Sequence, residues 1–132
     1  MSKIVEVGSL KTGSWITIDG EPCQIVEIAH SKPGKHGSAK ARIVAIGLFD
    51  GVKRTIVSPT SDKIEVPIIE KRTGQVIAML PSSIQLMDLE TYETFETDMP
   101  EDEELKKKVI QGATVEYWRV YGRTKIMRVR SE

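Results

Sequence analysis

The chain has 132 residues, of which 39% are hydrophobic and 29% charged, and its 19 basic and 19 acidic side chains cancel. This length excludes a large multidomain enzyme, and the apolar content excludes a disordered polypeptide. No apolar run approaches the ~20 residues of a membrane-spanning helix, and the first ten residues lack the apolar core of an export signal. We therefore expect a cytoplasmic protein that does not bind a membrane.

Short strands separated by turn residues dominate the first half of the sequence. Strands at residues 14–18 and 22–29 flank Asp19-Gly20, a pair typical of a tight hairpin because both positions tolerate positive φ. Strands at residues 40–49 and 53–57 flank Asp50-Gly51 in the same way. Cys23, the sole cysteine, cannot form an internal disulfide and is interpreted as a small core residue.

Residues 64–68 alternate apolar and polar side chains, and Pro67 places this strand at a sheet edge because proline donates no ladder hydrogen bond. Apolar residues are absent from residues 70–74, where we place a domain boundary. The predicted domains are residues 1–70 and 73–132.

The second half predicts five strands, at residues 75–80, 84–89 and 92–96 and on both sides of Tyr121-Gly122. A short helix separates the third strand from the fourth, with Asp98 as its predicted cap and Gly112 as its stop. This order fits an oligonucleotide-binding (OB) barrel.

Aromatic and cationic residues alternate in residues 117–119 and 121–123, as a base-stacking surface requires. A small barrel also needs aromatic rings in its core, and we favour the core for both Trp15 and Trp118. The nine carboxylates of residues 88–104 would repel RNA, so that face is expected to point away from it.

The segment at residues 31–39 lies between two predicted strands and has no apolar side chain larger than proline or alanine. Gly34 and Gly37 permit unusual backbone angles, and Lys35 is expected at the tip of a projecting loop. Two interpretations stay open from the residues alone: a solvated hairpin end without a role, or a contact with RNA or protein.

This segment lacks the residue patterns of phosphate binding, metal binding and nucleophilic catalysis. A phosphate-binding loop needs Ser or Thr after its lysine and a helix after the loop, whereas Lys35 precedes His36 and a strand. His30, His36 and Cys23 lack the number and spacing of metal ligands. No serine or cysteine has an interpretable base and orienting carboxylate. We therefore predict neither a catalytic residue nor a metal site.

The string from Lys32 to Lys40, KPGKHGSAK, resembles the signature loop of the translation initiation factor 5A family, which carries hypusine and is related to bacterial elongation factor P. Eukaryotic members usually have histidine where this sequence has Ser38, so the string is more similar to the archaeal branch of the family. The resemblance implies a mostly β fold: an N-terminal SH3-like barrel (residues 1–70) that carries the loop (residues 31–39), and a C-terminal OB-fold barrel with one short helix (residues 73–132).

The resemblance also implies the function. Lys35 would receive an aminobutyl group from spermidine, transferred by deoxyhypusine synthase with NAD, to become deoxyhypusine or hypusine. The chain itself would be a non-enzymatic factor without a bound cofactor or a small-molecule substrate. The residues expected to support the modification are Lys32, Pro33, Gly34, His36, Gly37 and Ser38.

In the family, the factor binds the ribosome near the exit site, where the modified lysine promotes the first peptide bond and bonds in stalled or proline-rich sequences. Its partners would be rRNA and peptidyl-tRNA. Two alternatives remain: a general RNA-binding module whose loop is only electrostatic, and a protein adaptor that uses the acidic residues 101–104. The candidate RNA contacts are Lys40, Arg42, Lys53, Arg54, Arg119 and Arg123.

Overall fold

The structure, a computed structural model, describes residues 1–32 and 39–130. The chain divides into two compact units, Met1–Ile68 and Ile69–Glu132. The described residues form eleven β-strands and one α-helix, and each unit has its own apolar core. The mostly β architecture is as predicted.

The N-terminal unit is an SH3-like barrel in which a four-stranded sheet curls against a two-stranded ribbon. The sheet has the order β2-β3-β4-β5, and the ribbon pairs β1 with β6. Its core contains Cys23, as predicted, together with isoleucines from three strands of the sheet and with Val7 and Leu10 from the segment before them. The strands are β1 (Ser2–Glu6), β2 (Trp15–Ile18), β3 (Glu21–Ser31), β4 (Lys40–Gly47), β5 (Lys53–Pro59) and β6 (Lys63–Pro67).

Strand β1 was not among the predicted strands. Its side chains are mostly exposed, including Ile4 at 59%, and it exists because it pairs antiparallel with β6 from Ser2 opposite Pro67 to Glu6 opposite Lys63. Such a long-range pairing leaves little local pattern in the sequence. The ribbon has only two strands, so the predicted edge position of Pro67 is confirmed.

The two predicted hairpins form, but their turns differ. Asp19 and Gly20 have φ of 50° and 79°, as a two-residue type I′ turn requires. The second turn is longer, because β4 ends at Gly47 and β5 starts at Lys53. In it, the Asp50 carboxylate accepts a hydrogen bond from the Val52 amide at 3.0 Å.

The C-terminal unit is an OB-fold barrel with the strand order β11-β10-β7-β8-β9. The two outer strands are joined through side chains, since Thr124 Oγ1 lies 2.9 Å from Thr97 Oγ1. Tyr117 and six aliphatic residues form the core. The elements are β7 (Glu70–Met79), β8 (Ile84–Asp88), β9 (Thr94–Thr97), α1 (Glu103–Lys108), β10 (Thr114–Val120) and β11 (Arg123–Val129).

The sequence placed the beginning of this unit and its helix incorrectly. Strand β7 starts at Glu70 and not at Gln75, because the polar residues before Gln75 pair with β10. Asp102, rather than Asp98, caps α1 by accepting a hydrogen bond from the Leu105 amide at 3.0 Å. The helix ends at Lys108, and Gly112, with φ of 90°, instead lies in the turn before β10.

The aromatic side chains also differ from expectation. Trp15 and Trp118 are only partly buried and belong to neither core, whereas Tyr117 is fully buried. Successive residues of a strand point to opposite faces, so one ring of the Tyr117-Trp118 pair had to lie outside. The preference for Trp118 in the core is therefore wrong.

A buried polar network connects three strands of the OB barrel. Asp88 is 2% exposed and accepts hydrogen bonds from Arg72 Nε at 2.6 Å and from the Tyr117 hydroxyl at 2.5 Å. The amides of Glu90 and Thr91 donate to its other oxygen at 2.8 and 2.9 Å. The hydrogen bonds from Arg72, above all, hold the pKa of Asp88 well below its usual range. Burial and the bond to Asp88 raise the pKa of Tyr117 to about 12.

We expect Asp88→Asn to lower the free energy of unfolding by about 2–3 kcal/mol at neutral pH, because Arg72 loses its buried anion. The depressed pKa means that Asp88 stabilises the fold fully above its unfolded pKa of about 3.9, and that this contribution is lost as the pH falls. The wild-type chain should therefore lose stability below about pH 4 more steeply than the variant. Urea unfolding at a series of pH values measures both effects.

Glu90→Gln is the matched control, since it removes a carboxylate that lies 77% exposed beside the same arginine. It should change the free energy of unfolding by less than about 0.5 kcal/mol. Equal stability of Asp88→Asn and wild type would contradict the role given to the network.

Candidate functional site

The candidate site lies at the end of the longest hairpin of the N-terminal unit. Strands β3 and β4 pair antiparallel from Cys23 opposite Gly47 to Ser31 opposite Lys40. Lys32 follows this last pair and is exposed. Pro33, Gly34, Lys35, His36, Gly37 and Ser38 lie outside the described residues, so the structure describes only the two strands that flank them.

The start of β4, next to the described part of the signature segment, is held by two successive backbone hydrogen bonds. The Thr60 amide donates to the Ala39 carbonyl at 2.9 Å, and the Gly8 amide donates to the Thr60 carbonyl at 2.9 Å. A Cβ at Gly8 would lie 3.2 Å from Thr60 Cβ and from its carbonyl oxygen, so glycine permits this close approach. The turn after β1 therefore supports one end of the signature segment.

Gly8 and Thr60 support the candidate site, and the sequence did not reveal them. They are separated by about fifty positions, and neither belongs to a recognisable motif. Only the pairing of β1 with β6, which the sequence also failed to predict, brings them together.

Three of the candidate RNA contacts share one face of the sheet. Lys40 and Arg42 alternate with Ala41 and Ile43, whose side chains are in the core, so both cations point outward. Lys53 pairs with Ile46, which lies on the same face as Arg42. All three cationic side chains are exposed. We call these three residues the cationic face.

Arg54 does not belong to the cationic face. It pairs with Ala45, a core residue, and its guanidinium binds both carboxylate oxygens of Asp50, at 2.8 and 3.2 Å. These hydrogen bonds lower the pKa of Asp50 to about 2. Arg54 Nη1 also lies 4.0 Å from Cys23 Sγ, and burial raises the pKa of that thiol. Arg54 thus connects Asp50, in the turn after β4, with Cys23 in the barrel core.

The two candidate RNA contacts of the C-terminal unit, Arg119 and Arg123, lie on opposite faces of the sheet. Arg119 lies over the ring of Phe95 at 5.2 Å and pairs with Glu93 at 3.6 Å. Arg123 pairs with Val120 across β10 and β11, which places it on the face opposite to Arg119.

The described residues contain no group of three or more histidine, cysteine, aspartate or glutamate side chains that could hold a metal ion. Among the same residues, no helix is long and apolar enough to cross a membrane.

Comparison with known proteins identifies the family. The model described as "Translation initiation factor 5A-like, N-terminal" matches residues 2–62. A second model, "Eukaryotic elongation factor 5A hypusine, DNA-binding OB fold", matches residues 68–130. The chain belongs to the translation initiation factor 5A family. The resemblance drawn from the signature loop is thereby confirmed.

Relatives of the same family span nearly the whole chain. Translation initiation factor 5A of Thermofilum pendens is 60% identical over 126 residues, which are 96% of each chain. That of Pyrococcus furiosus is 58% identical over 130 residues, covering 97% of this chain and 94% of the relative. These archaeal relatives agree with the branch that Ser38 indicated.

Two solved structures have the same fold. Eukaryotic translation initiation factor 5A from Methanococcus jannaschii superposes with a TM-score of 0.88 at 53% identity, covering 98% of this chain and 95% of that one. The translation initiation factor eIF-5A family protein from Naegleria fowleri gives a TM-score of 0.82 at 33% identity, covering 98% of this chain and 99% of that one. A factor 5A fold is thus shared by relatives of widely different sequence.

Adjacent cations on β5 should respond differently to substitution. Arg54→Gln removes both hydrogen bonds to Asp50, and we expect it to lower Tm by about 2–4 °C. Lys53→Gln removes an exposed charge next to it and should leave Tm within about 1 °C of wild type. Differential scanning calorimetry measures both values. A Tm that falls equally in the two variants would contradict the structural role of Arg54.

Proposed function

We propose that this chain is a non-enzymatic translation factor that acts through hypusine or deoxyhypusine on Lys35. The observation that carries the proposal is the position of the KPGKHGSAK segment in a factor 5A chain, directly beyond the Ser31–Lys40 pair that ends the β3–β4 ladder. The family model that matches residues 68–130 names hypusine in its description. Lys35 is the lysine at the centre of that segment.

The modification is made by another enzyme. Deoxyhypusine synthase moves the aminobutyl group of spermidine onto the Lys35 amine. A C–N bond forms at Lys35 Nζ, the C–N bond to the departing 1,3-diaminopropane breaks, and NAD is reduced and then reoxidised within the cycle. The chain is a substrate and needs no catalytic group of its own. Lys32, Pro33, Gly34, His36, Gly37 and Ser38 present Lys35 to that enzyme. The product is a longer, flexible side chain with two amines where one stood.

The modified side chain acts at the ribosome. We infer that the factor binds near the exit site beside peptidyl-tRNA and directs Lys35 towards the peptidyl-transferase centre. A long cation that contacts the acceptor end of the tRNA favours the productive orientation of the ester and lowers the entropic part of the barrier. Slow bonds, such as the first bond or those in proline-rich sequences, gain most from this effect.

The cationic face supports binding near the modified residue. Lys40, Arg42 and Lys53 point to one side of the sheet. Lys40 is the last residue of the signature segment, whereas Lys53 pairs with Ile46 near the other end of β4. Two residues along a strand span about 7 Å, which is compatible with contacts to successive phosphates. The factor works in the cytoplasm, where its partners are rRNA and peptidyl-tRNA.

Lys35→Arg tests the role of the amine, because arginine keeps the positive charge but cannot accept the aminobutyl group. In a reconstituted archaeal translation system, we expect this variant to stimulate the synthesis of a proline-rich peptide no more than the buffer alone. The wild-type chain must first be treated with the synthase and shown by intact mass to carry the modification.

Lys11→Arg is the matched control, since it makes the same substitution at an exposed lysine of the same unit, outside the signature segment. It should keep most of the stimulation. If Lys35→Arg stimulates synthesis as well as the modified wild-type chain does, the proposal fails. The alternative of a general RNA-binding module with an electrostatic loop would then be favoured.

The cationic face gives a separate prediction. Replacing Lys40, Arg42 and Lys53 together by glutamine should weaken ribosome binding. It should also make the plot of log K against log salt concentration less steep by about 2, because each phosphate contact contributes roughly 0.7–0.9 to that slope. Arg54→Gln removes a charge from the other side of the sheet and should leave the slope unchanged. Filter binding across a salt titration measures this, and an unchanged slope in the triple variant would refute the role of this face.

A further inference from the structure

The face on which OB barrels ordinarily bind nucleic acid is unsuited to that purpose in this chain. The binding face usually comprises the second and third strands of the barrel, which here are β8 and β9. Residues 84–97, which contain both strands and their connection, include four carboxylates and no lysine or arginine. Asp88 is buried and bound to Arg72, and Glu93 pairs with Arg119, so these two carboxylates are compensated, but the segment itself offers no cation to a phosphate.

Several cations of the unit lie on the outer face of β7, β10 and β11. Trp118 on β10 pairs with Lys71 on β7 and with Lys125 on β11, so the three side chains form a row across three strands. The Lys71 Nζ lies over the indole, 4.9 Å from the ring centroid. Arg123 pairs with Val120, two residues further along β10, and therefore shares the face with Trp118.

Glu116, a carboxylate on this face among the described residues, is paired with two arginines. Glu116 alternates with Trp118 on β10, and its Oε2 accepts from Arg128 Nε at 2.5 Å and lies 3.8 Å from Arg130 Nε. Strand β11 itself contains three cations and no carboxylate. Cationic side chains therefore outnumber carboxylates among the described residues of this face, although the whole chain has no formal net charge.

Trp118 is not required by the core. The adjacent Tyr117 fills the interior of the barrel and anchors Asp88, whereas the indole lies on the outer face and is partly buried. When the Lys71 ammonium moves from the ring to a flanking phosphate, the indole offers an aromatic surface on which a base stacks, with Lys125 on the neighbouring strand as a second cation. Cations alone would suit any acidic partner, whereas cations beside an indole also match the aromatic rings and phosphates of a single strand.

We propose that this row binds RNA whose bases are unpaired, by stacking on Trp118 and by phosphate contacts from Lys71, Lys125 and Arg123. We call these four residues the tryptophan face. The inference rests on the proposed function only in taking RNA of the translation machinery as the natural partner. It assigns the binding surface of the OB unit to β7, β10 and β11 rather than to β8 and β9.

The test uses the full-length chain and a fluorescein-labelled, uridine-rich RNA of about twelve nucleotides, a length within the usual site size of OB barrels. Trp118→Leu should weaken binding about tenfold, as expected for the loss of one stacked base. Lys71→Gln combined with Lys125→Gln should lower the salt slope by about 1.4 for a single-stranded probe.

The matched control is Lys106→Gln combined with Lys108→Gln, which removes the same charge from exposed positions of α1. It should leave both the affinity and the salt slope at the wild-type values. In a Trp15→Phe background, Trp118 is the sole indole, and we expect the RNA to quench its fluorescence at the concentration at which anisotropy reports binding.

Wild-type affinity and slope in the Lys71/Lys125 variant would overturn the inference, as would RNA binding that leaves the Trp118 fluorescence unchanged. A loss of affinity in the α1 control equal to that in the Lys71/Lys125 variant would overturn it as well, because only total charge would then matter. These outcomes are separable from failure of the proposed function, which depends on the Lys35→Arg assay and not on the tryptophan face.

Discussion

The register of the β3–β4 ladder is the constraint on which the rest of the N-terminal unit depends. Ala41, Ile43 and Ala45 of β4 are fully buried, and the intervening Lys40 and Arg42 point outward. A shift of one residue would exchange these sets and would bury two cations. The core therefore fixes which side of the sheet is cationic, and it also fixes the residue at which β4 begins.

A bulge in β3 preserves this arrangement along the whole hairpin. Ile25 pairs with Ala45 and Glu27 with Val44, so Val26 is an extra residue in β3 and is 46% exposed. The bulge shifts the phase of the strand by one residue, and Ile28 then packs against the same core as Ile25. Without it, the outer part of the hairpin would present an isoleucine to solvent beside the signature segment.

The sequence predicted features that depend on neighbouring residues and missed those that depend on distant ones. Asp19-Gly20 forms the expected turn because its conformation is decided by two residues. The residues before Gln75 form a strand only because β10 pairs with them and because Arg72 reaches Asp88. Asp98 and Asp102 are both plausible caps by residue type, and the length of the segment after β9 decides between them.

The C-terminal unit shows why adjacent aromatic residues need separate interpretations. Tyr117 and Trp118 are both large, but a barrel strand accepts only alternate residues into its core. Asp88 selects Tyr117 for the interior, because a buried carboxylate needs donors and the phenol supplies one together with Arg72. The composition of the chain, with 5% aromatic residues, suggested that the barrel needs its rings inside, whereas the polar network decides which ring is used.

The two RNA-binding surfaces that we propose, one in each unit, suit a chain without formal net charge. A neutral chain has no long-range attraction for RNA in general, so it does not accumulate on unrelated sequences. Each surface contributes only a few phosphate contacts, and either alone would bind weakly. The units are covalently joined between Ile68 and Ile69, so binding through one raises the effective concentration of the other. A target that engages both surfaces is then bound much more tightly than one that engages either, which gives selectivity for the ribosome without a strongly basic protein.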